Sequence, residues 1–259
     1  MSSAELLLHE RQSVIRTRLA QQGRVIAADL AQEFSTSEDT IRRDLRELAA
    51  AGLCKRVYGG ALPADMSDSG SLLRRLSDRP ERKSALARAA VALLKPDMTV
   101  FIDAGSTNLA IAQAIPATLS LVVITNAPLV AAALLDKPGV DVVVIGGRLD
   151  QKSGAVLGAK ATQDVAGFHP DLCVLGSCGL DVDSGISASF FEEAEFKRFI
   201  ALRSRSVVAA VTNDKLGVAA PFAVIPLDGC RHVVVEHDAD AALLAAVAAR
   251  GADIIRAQA

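Results

Sequence analysis

Two periodicities of apolar residues divide the chain. Up to about residue 58 they recur at helical spacing. Leu7, Val14, Ile15 and Leu19 share one face of a first helix that Gly23 ends, and "VIAADLAQEF" makes a shorter second helix with Ile26, Leu30 and Phe34 inward. A third helix starts after Ser37, a suitable N-cap, with Glu38 and Asp39 in the first turn where the helix dipole favours acids. Gly52 stands where a C′ glycine would stop it. From Lys83 the pattern changes to a helix, "KSALARAAVALL", followed by runs of β-branched residues: "TVFID", "SLVVIT", "VDVVVIGG", "DLCVLGS", "SVVAAVT" and "HVVVE". Helical segments alternate with these runs at Leu109 to Ala114, Pro128 to Leu135, Phe191 to Leu202 and Ala239 to Ala249. Such alternation predicts an α/β domain with a mostly parallel, doubly covered sheet over residues 83–259. Residues 62–82 gather Pro, Ser, Asp and Gly without a period and read as a linker.

Composition sharpens this picture. Apolar residues make up 51% of the chain and aromatic ones only 3%, so the core is built from Ala, Val, Leu and Ile. The net charge of -2 argues against a protein that coats nucleic acid along its whole surface. Charge is nevertheless uneven: Thr40 to Ala61 holds Arg42, Arg43, Arg46, Lys55 and Arg56 against Asp44 and Glu47, a local basic patch. The cysteines, Cys54, Cys173, Cys178 and Cys230, form no C-x-x-C pair and have no His at metal spacing. They read as small buried hydrophobes in a reducing cytosol, and no metal or cofactor is called for. The N-terminus lacks a secretory pattern and the apolar runs are too short to span a bilayer, which points to a cytoplasmic protein without a membrane partner.

The basic patch has a definite helical phase. Ile41, Leu45 and Leu48 stand at i, i+4 and i+7 and face a core, which turns Glu38, Asp39, Arg42, Arg43 and Arg46 outward. Short helices, a tight turn and a basic Gly-Gly corner predict a small all-α winged helix-turn-helix domain over residues 1–61, with Lys55, Arg56 and Tyr58 in the wing. Arginines there can read guanine edges or grip phosphate, while Ser37 and Thr40 are short enough to anchor the DNA backbone. The competing reading is a three-helix cap with a solvated charged face.

The order of these residues resembles the N-terminal signature of the DeoR family of bacterial transcriptional regulators. The resemblance runs through Arg11, Ile15 and Leu19, "SEDTIRRDL" and "AAGLCKRVYGGA". Beyond the linker it continues through "FIDAGST", "VITNAPLVAAAL", "IGGRLDQKSGAVLG" and "GISASFFEEAEFKRFI". It implies a sugar-phosphate-isomerase-like sensor domain behind the DNA-binding domain, with a phosphorylated sugar or related metabolite as effector and double-stranded operator DNA as partner. The residues agree. "DAGST" leaves a strand and enters a helix, so Asp103, Gly105, Ser106 and Thr107 meet at a helix N-terminus, where anions are favoured. Thr125 and Asn126, and Gly146 and Gly147, end further strands, the side of an open α/β sheet on which ligands bind. Lys197 and Lys215 are candidate cations for a phosphate. Each fragment has a plainer reading too: Gly-Ser-Thr as a turn, Pro128 as a helix start, and Lys197 as the i+4 partner of Glu193.

A rival function is an active sugar-phosphate isomerase with a helical appendage, which would need a positioned acid/base pair. The isomerases and many DeoR-family members resemble "GADGID" at one strand end; here it is "GSCGLD", which keeps Asp181 but puts Cys178 where the first acid would be. A second departure, "TNDKLG", keeps Lys215 but lacks the family's usual Asp before Ser-Lys. These departures favour a pocket that binds without turnover, and hence a regulator, in the sense of a repressor, rather than an enzyme. One short recognition helix per chain reads too few base pairs alone, so a homo-oligomer, a dimer or larger, is anticipated.

Overall fold

The computed structural model describes residues 8–22, 24–51, 53–57, 59–63 and 72–259. Leu7, Gly23, Gly52 and Tyr58, which carry sequence expectations, lie outside the described residues. The chain divides into two compact units at Gly70/Ser71.

The first unit runs α1 (Leu8–Gln22), β1 (Val25–Ile26), α2 (Ala27–Glu33), α3 (Glu38–Ala50), β2 (Cys54–Val57) and β3 (Gly60–Pro63). It is helical but not purely so, because the wing is an antiparallel sheet of order β1-β3-β2. Ile26 is correspondingly not inward. It belongs to β1, where side chains alternate, so Val25 is 6% exposed and Ile26 is 42% exposed. Of the other predicted core residues, Ile15, Leu19, Leu30, Phe34, Ile41, Leu45 and Leu48 pack together with Cys54 and Ala61, and Val14 is partly buried against them. Asp44, counted above among the charges of the basic patch, is buried and bridged by Arg11, whose Nη2 lies 3.1 Å from Oδ1. That pair ties α1 to α3.

The second unit begins with two helices, α4 (Leu72–Ser77) and α5 (Pro80–Val91), where the sequence suggested a linker up to residue 82. Helix forms here because Leu72 is buried, and because Pro80 starts α5 after Arg79 turns the chain in the left-handed region. The remaining elements are β4 (Met98–Ile102), α6 (Ser106–Ala114), β5 (Leu121–Thr125), α7 (Pro128–Ala132), β6 (Val140–Val144), β7 (Arg148–Asp150), β8 (Ala155–Leu157), α8 (Ala159–Val165), β9 (Leu172–Leu175), β10 (Gly179–Asp181), β11 (Gly185–Ala188), α9 (Phe191–Arg203), β12 (Val207–Val211), β13 (Phe222–Ile225), β14 (His232–Val235), α10 (Ala241–Ala248) and β15 (Asp253–Arg256). Seven strands form one parallel sheet of order β15-β14-β12-β9-β4-β5-β6. Its buried centre, from Val100 to Ile102 and from Leu172 to Leu175, is aliphatic apart from Phe101, Cys173 and a ring contact between Phe101 and Phe196 on α9.

The order of strands fixes where a ligand can sit. From β4 the chain winds outward through β5 and β6, then returns to β9 and winds the other way. The crevice beyond the carboxyl ends of β4 and β9 is therefore the topological switch point, where doubly wound sheets bind ligands. Small strands that the sequence pattern did not reveal border this end: the β7–β8 hairpin and the antiparallel β10-β11-β13 sheet.

Candidate functional site

In the first unit α3 presents the exposed face that its sequence phase predicted. The Ser37 hydroxyl accepts from the Thr40 amide at 3.1 Å and lies 2.9 Å from Thr40 Oγ1, so both hydroxyls build the helix start. Ile41, Leu45 and Leu48 are buried, whereas Glu38, Asp39, Arg42, Arg43 and Arg46 are exposed, as are Lys55 and Arg56 on β2. Arg42 does not project freely: its Nη2 donates to Glu38 Oε2 at 2.6 Å, and its Nη1 lies 3.6 Å from Asp39 Oδ1.

In the second unit the switch point is occupied by an ionic cluster. Lys197 Nζ lies 2.8 Å from Asp103 Oδ2 and 3.0 Å from Glu193 Oε1, and it donates to the Gly176 carbonyl at 2.7 Å. All three ammonium protons thus have acceptors. Asp103 Oδ2 also accepts from the Gly176 amide at 2.9 Å. The three charged residues are buried, with two carboxylates against one cation. Burial opposes the charge on Lys197, but Asp103 and Glu193 outweigh it and lift the ammonium above its ordinary range; burial also raises Asp103. Gly176 is required here, since a Cβ would lie 2.9 Å from both Asp103 Oδ2 and Lys197 Nζ. Lys197 is therefore the keystone of a closed network rather than an open cation.

The other predicted residues distribute around this cluster. Gly105 caps α6, and Ser106 and Thr107 form its buried first turn directly after Asp103. Thr125 is committed to the backbone: its hydroxyl donates to the Ile102 carbonyl at 2.6 Å and accepts from the Ala127 amide at 3.0 Å. Asn126 donates to the Val156 carbonyl at 3.3 Å and so ties β5 to β8. Gly146 and Gly147 carry the chain from β6 into the β7–β8 hairpin, with Gly147 at φ 144° against Val156. Asp181 is not brought to the cluster by any contact: its Oδ1 accepts from the amides of Asp183 and Ser184 and shapes the β10–β11 turn. Cys178 is half-buried, with its amide bonded to the Ser187 carbonyl, and Cys54, Cys173 and Cys230 are buried free thiols.

Three contributors were not singled out by the sequence. Asn108 donates to the carbonyls of Asp103 and Val174, stapling the ends of β4 and β9. Lys215 was anticipated, but its companions Lys83 and Arg75 were not. Lys215 Nζ donates to the Ser177 carbonyl at 2.9 Å, buried Lys83 donates to the carbonyls of Arg75 and Asp78, and Arg75 donates to those of Lys152 and Ser153. Burial lowers both lysines below the usual range; Lys215 and Arg75 push Lys83 further down, and Arg75 and Lys197 do the same to Lys215. Lys215 and Arg75 thus lie within electrostatic reach of Lys83, and Arg75 and Lys197 within reach of Lys215, with Asp78 and Asp214 partly offsetting them. No local motif marks Lys83, because its role depends on α4 folding back beside it.

Comparisons with known proteins match a family model to each half of the chain. Residues 11–66 match the model of the DeoR-like helix-turn-helix domain, and residues 78–237 match that of the DeoR C terminal sensor domain. The chain is 33% identical over 208 residues to the glycerol-3-phosphate regulon repressor of Escherichia coli, covering 80% of this chain and 82% of that one. It is 29% identical over 235 residues to the HTH-type transcriptional regulator GolR of Listeria innocua, covering 90% and 92%. The ribose 5-phosphate isomerase A of Methanocaldococcus jannaschii overlaps 53% of this chain and 55% of its own at 12% identity and a TM-score of 0.40. With both domain models matched in order along most of its length, the chain belongs to the DeoR family of transcriptional regulators.

Proposed function

We propose that the protein is a cytoplasmic repressor of carbohydrate-metabolism genes, in which residues 1–61 bind operator DNA and residues 83–259 sense a phosphorylated sugar without consuming it. The observation that carries the sensing half is the gathering of Lys83, Lys215 and Arg75 near the end of β9, while the helix start formed by Ser106 and Thr107 follows the paired strand β4. Burial and the neighbouring cations outweigh Asp78 and Asp214 and disfavour the charge on Lys83 and Lys215, and a dianionic phosphate ester favours it. Helix N–H groups at α6 supply further donors. We assign the phosphate to Ser106, Thr107, Lys83 and Lys215, with Asp103, Gly105, Asn126, Gly146 and Gly147 framing the rest of the pocket. Lys197 orients Asp103, and Asp181 shapes the neighbouring turn.

Binding without turnover follows from how the acids are used. An aldose–ketose isomerase must move a proton between adjacent carbons with a free acid/base group. Here Cys178 replaces one such acid, Asp181 is spent on a turn, and Asp103 and Glu193 are pinned by Lys197. The test is a thermal-shift series of sugar phosphates on the full chain, followed by operator binding with and without the best ligand. An effector that changes operator affinity tenfold must bind free and DNA-bound protein about tenfold differently, a coupling of about 1.4 kcal/mol. Ser106→Ala with Lys215→Ala is expected to abolish that response and leave operator binding in its absence unchanged. Conversion of a sugar phosphate to its isomer at enzyme-like rates would refute the sensor reading.

A further inference from the structure

We propose that Glu38 is a specificity-determining residue of α3: its carboxylate accepts from the exocyclic amine of a cytosine in the major groove, and it fixes Arg42 beside that contact. The inference rests on the DNA-binding function proposed above.

Two acids at the start of a DNA-facing helix need a reason. In a helix-turn-helix the N-terminal residues of the recognition helix are those that meet base edges. A carboxylate near phosphate oxygens is repelled, so an acid there weakens binding to DNA of arbitrary sequence. Against a base edge it has one good partner, the N4 amine of cytosine. Helix-dipole stabilisation accounts for Asp39, whose side chain is 89% exposed. Glu38, at i,i+4 spacing, engages Arg42 at 2.6 Å, while Asp39, at i,i+3, lies 3.6 Å from it, so the helix turn brings Glu38 rather than Asp39 against the Arg42 guanidinium.

The same pair distinguishes the three exposed arginines of α3. Arg42 is held over the first turn by Glu38, whereas no ion pair engages Arg43 or Arg46 among the described residues. Free guanidinium groups suit the irregular path of phosphates, while a guanidinium braced by a carboxylate keeps one orientation and suits a base edge. Glu38 thereby does two things: it selects cytosine directly, and it keeps Arg42 from collapsing onto phosphate. The ion pair is surface-exposed and adds little to stability, so its effect is expected in recognition.

Selection of binding sites from a randomised double-stranded DNA library, with the full-length protein, tests this. The parent is expected to select a motif with a C·G pair at one position of each half-site. Glu38→Gln is expected to shift that position towards adenine, which an amide reads with two hydrogen bonds, and Glu38→Ala to lose preference there by about tenfold or more while the remaining positions persist. Both variants should bind arbitrary-sequence DNA more tightly, with a salt dependence steeper by roughly one ion as Arg42 turns to phosphate. If both variants select the parental motif unchanged, or lose preference evenly at every position, Glu38 is not a reader and the proposal fails. If the parent selects no motif at all, the DNA-binding function fails first and this proposal with it.

Discussion

Lys197 shows how a residue's chemistry is set by what surrounds it. A lysine four residues after a glutamate on an exposed helix is an ion pair of a few tenths of a kcal/mol, and the sequence of α9 allowed that reading as well as an open phosphate cation. The structure gives a third answer, because Asp103 at the end of β4 and Gly176 at the end of β9 reach the same ammonium. Lys197→Met should therefore strand two buried carboxylates and cost about 3–5 kcal/mol in chemical denaturation of the second unit. Replacing all three, as Lys197→Met with Asp103→Asn and Glu193→Gln, should recover much of that loss, since neutral groups carry no comparable desolvation penalty. An exposed role for Lys197 would instead leave stability within about 0.5 kcal/mol of the parent. Asp103 was legible because it ends an evident strand and begins an anion-favouring turn. The convergence on Gly176 was not, since it depends on β9 lying beside β4, a pairing of strands far apart in sequence.

Elements were legible in proportion to the strength and length of their periodicity. The inward phase of α3, with Ile41, Leu45 and Leu48 at 0–2% exposure, follows directly from a 3.6-residue repeat. The central strands of the parallel sheet, buried on both faces, announce themselves as unbroken β-branched runs. Where pairing partners rather than local pattern decide, the sequence was silent. β1 is two residues long and exists because β3 lies beside it, β10 and β11 are held by each other and by β13, and α4 forms where Leu72 packs against Gly154. The two faces of α3 make separable demands. Ile41→Ala should destabilise the first unit by about 2–5 kcal/mol, as cavity-forming core truncations do. Arg43→Ala should leave stability unchanged and weaken DNA binding, lowering the salt slope by about one. Denaturation monitored on the first unit and gel-shift titrations at several salt concentrations read these two effects. An Arg43→Ala variant that binds DNA like the parent at every salt concentration would remove Arg43 from the interface.

For the whole molecule, the governing constraint is information. A single α3 offers a few side chains to a few base pairs, which cannot single out an operator among a genome's competing sites. Two copies on half-sites one helical turn apart, about 34 Å, multiply the discrimination and let a modest effector coupling act on both contacts at once. The protein is therefore expected to be a dimer or larger, with operators made of repeated half-sites. The second unit has the surface for such an assembly: β6 is an edge of the seven-stranded sheet, and Val144 at its end, Leu135 after α7 and Leu149 on β7 are 52%, 86% and 50% exposed. Exposed aliphatic side chains and a sheet edge without a partner strand among the described residues are features that assembly can cover. Sedimentation velocity at micromolar concentration should show a species at least twice the 27.0 kDa chain mass. Shortening an operator to one half-site should cost more affinity than any single base change within it, because it removes an entire recognition helix from the complex. A 27.0 kDa species that persists on operator DNA, with full affinity for one half-site, would overturn the assembly and require the wing residues Lys55 and Arg56 to carry far more of the sequence reading than their exposed place on β2 suggests.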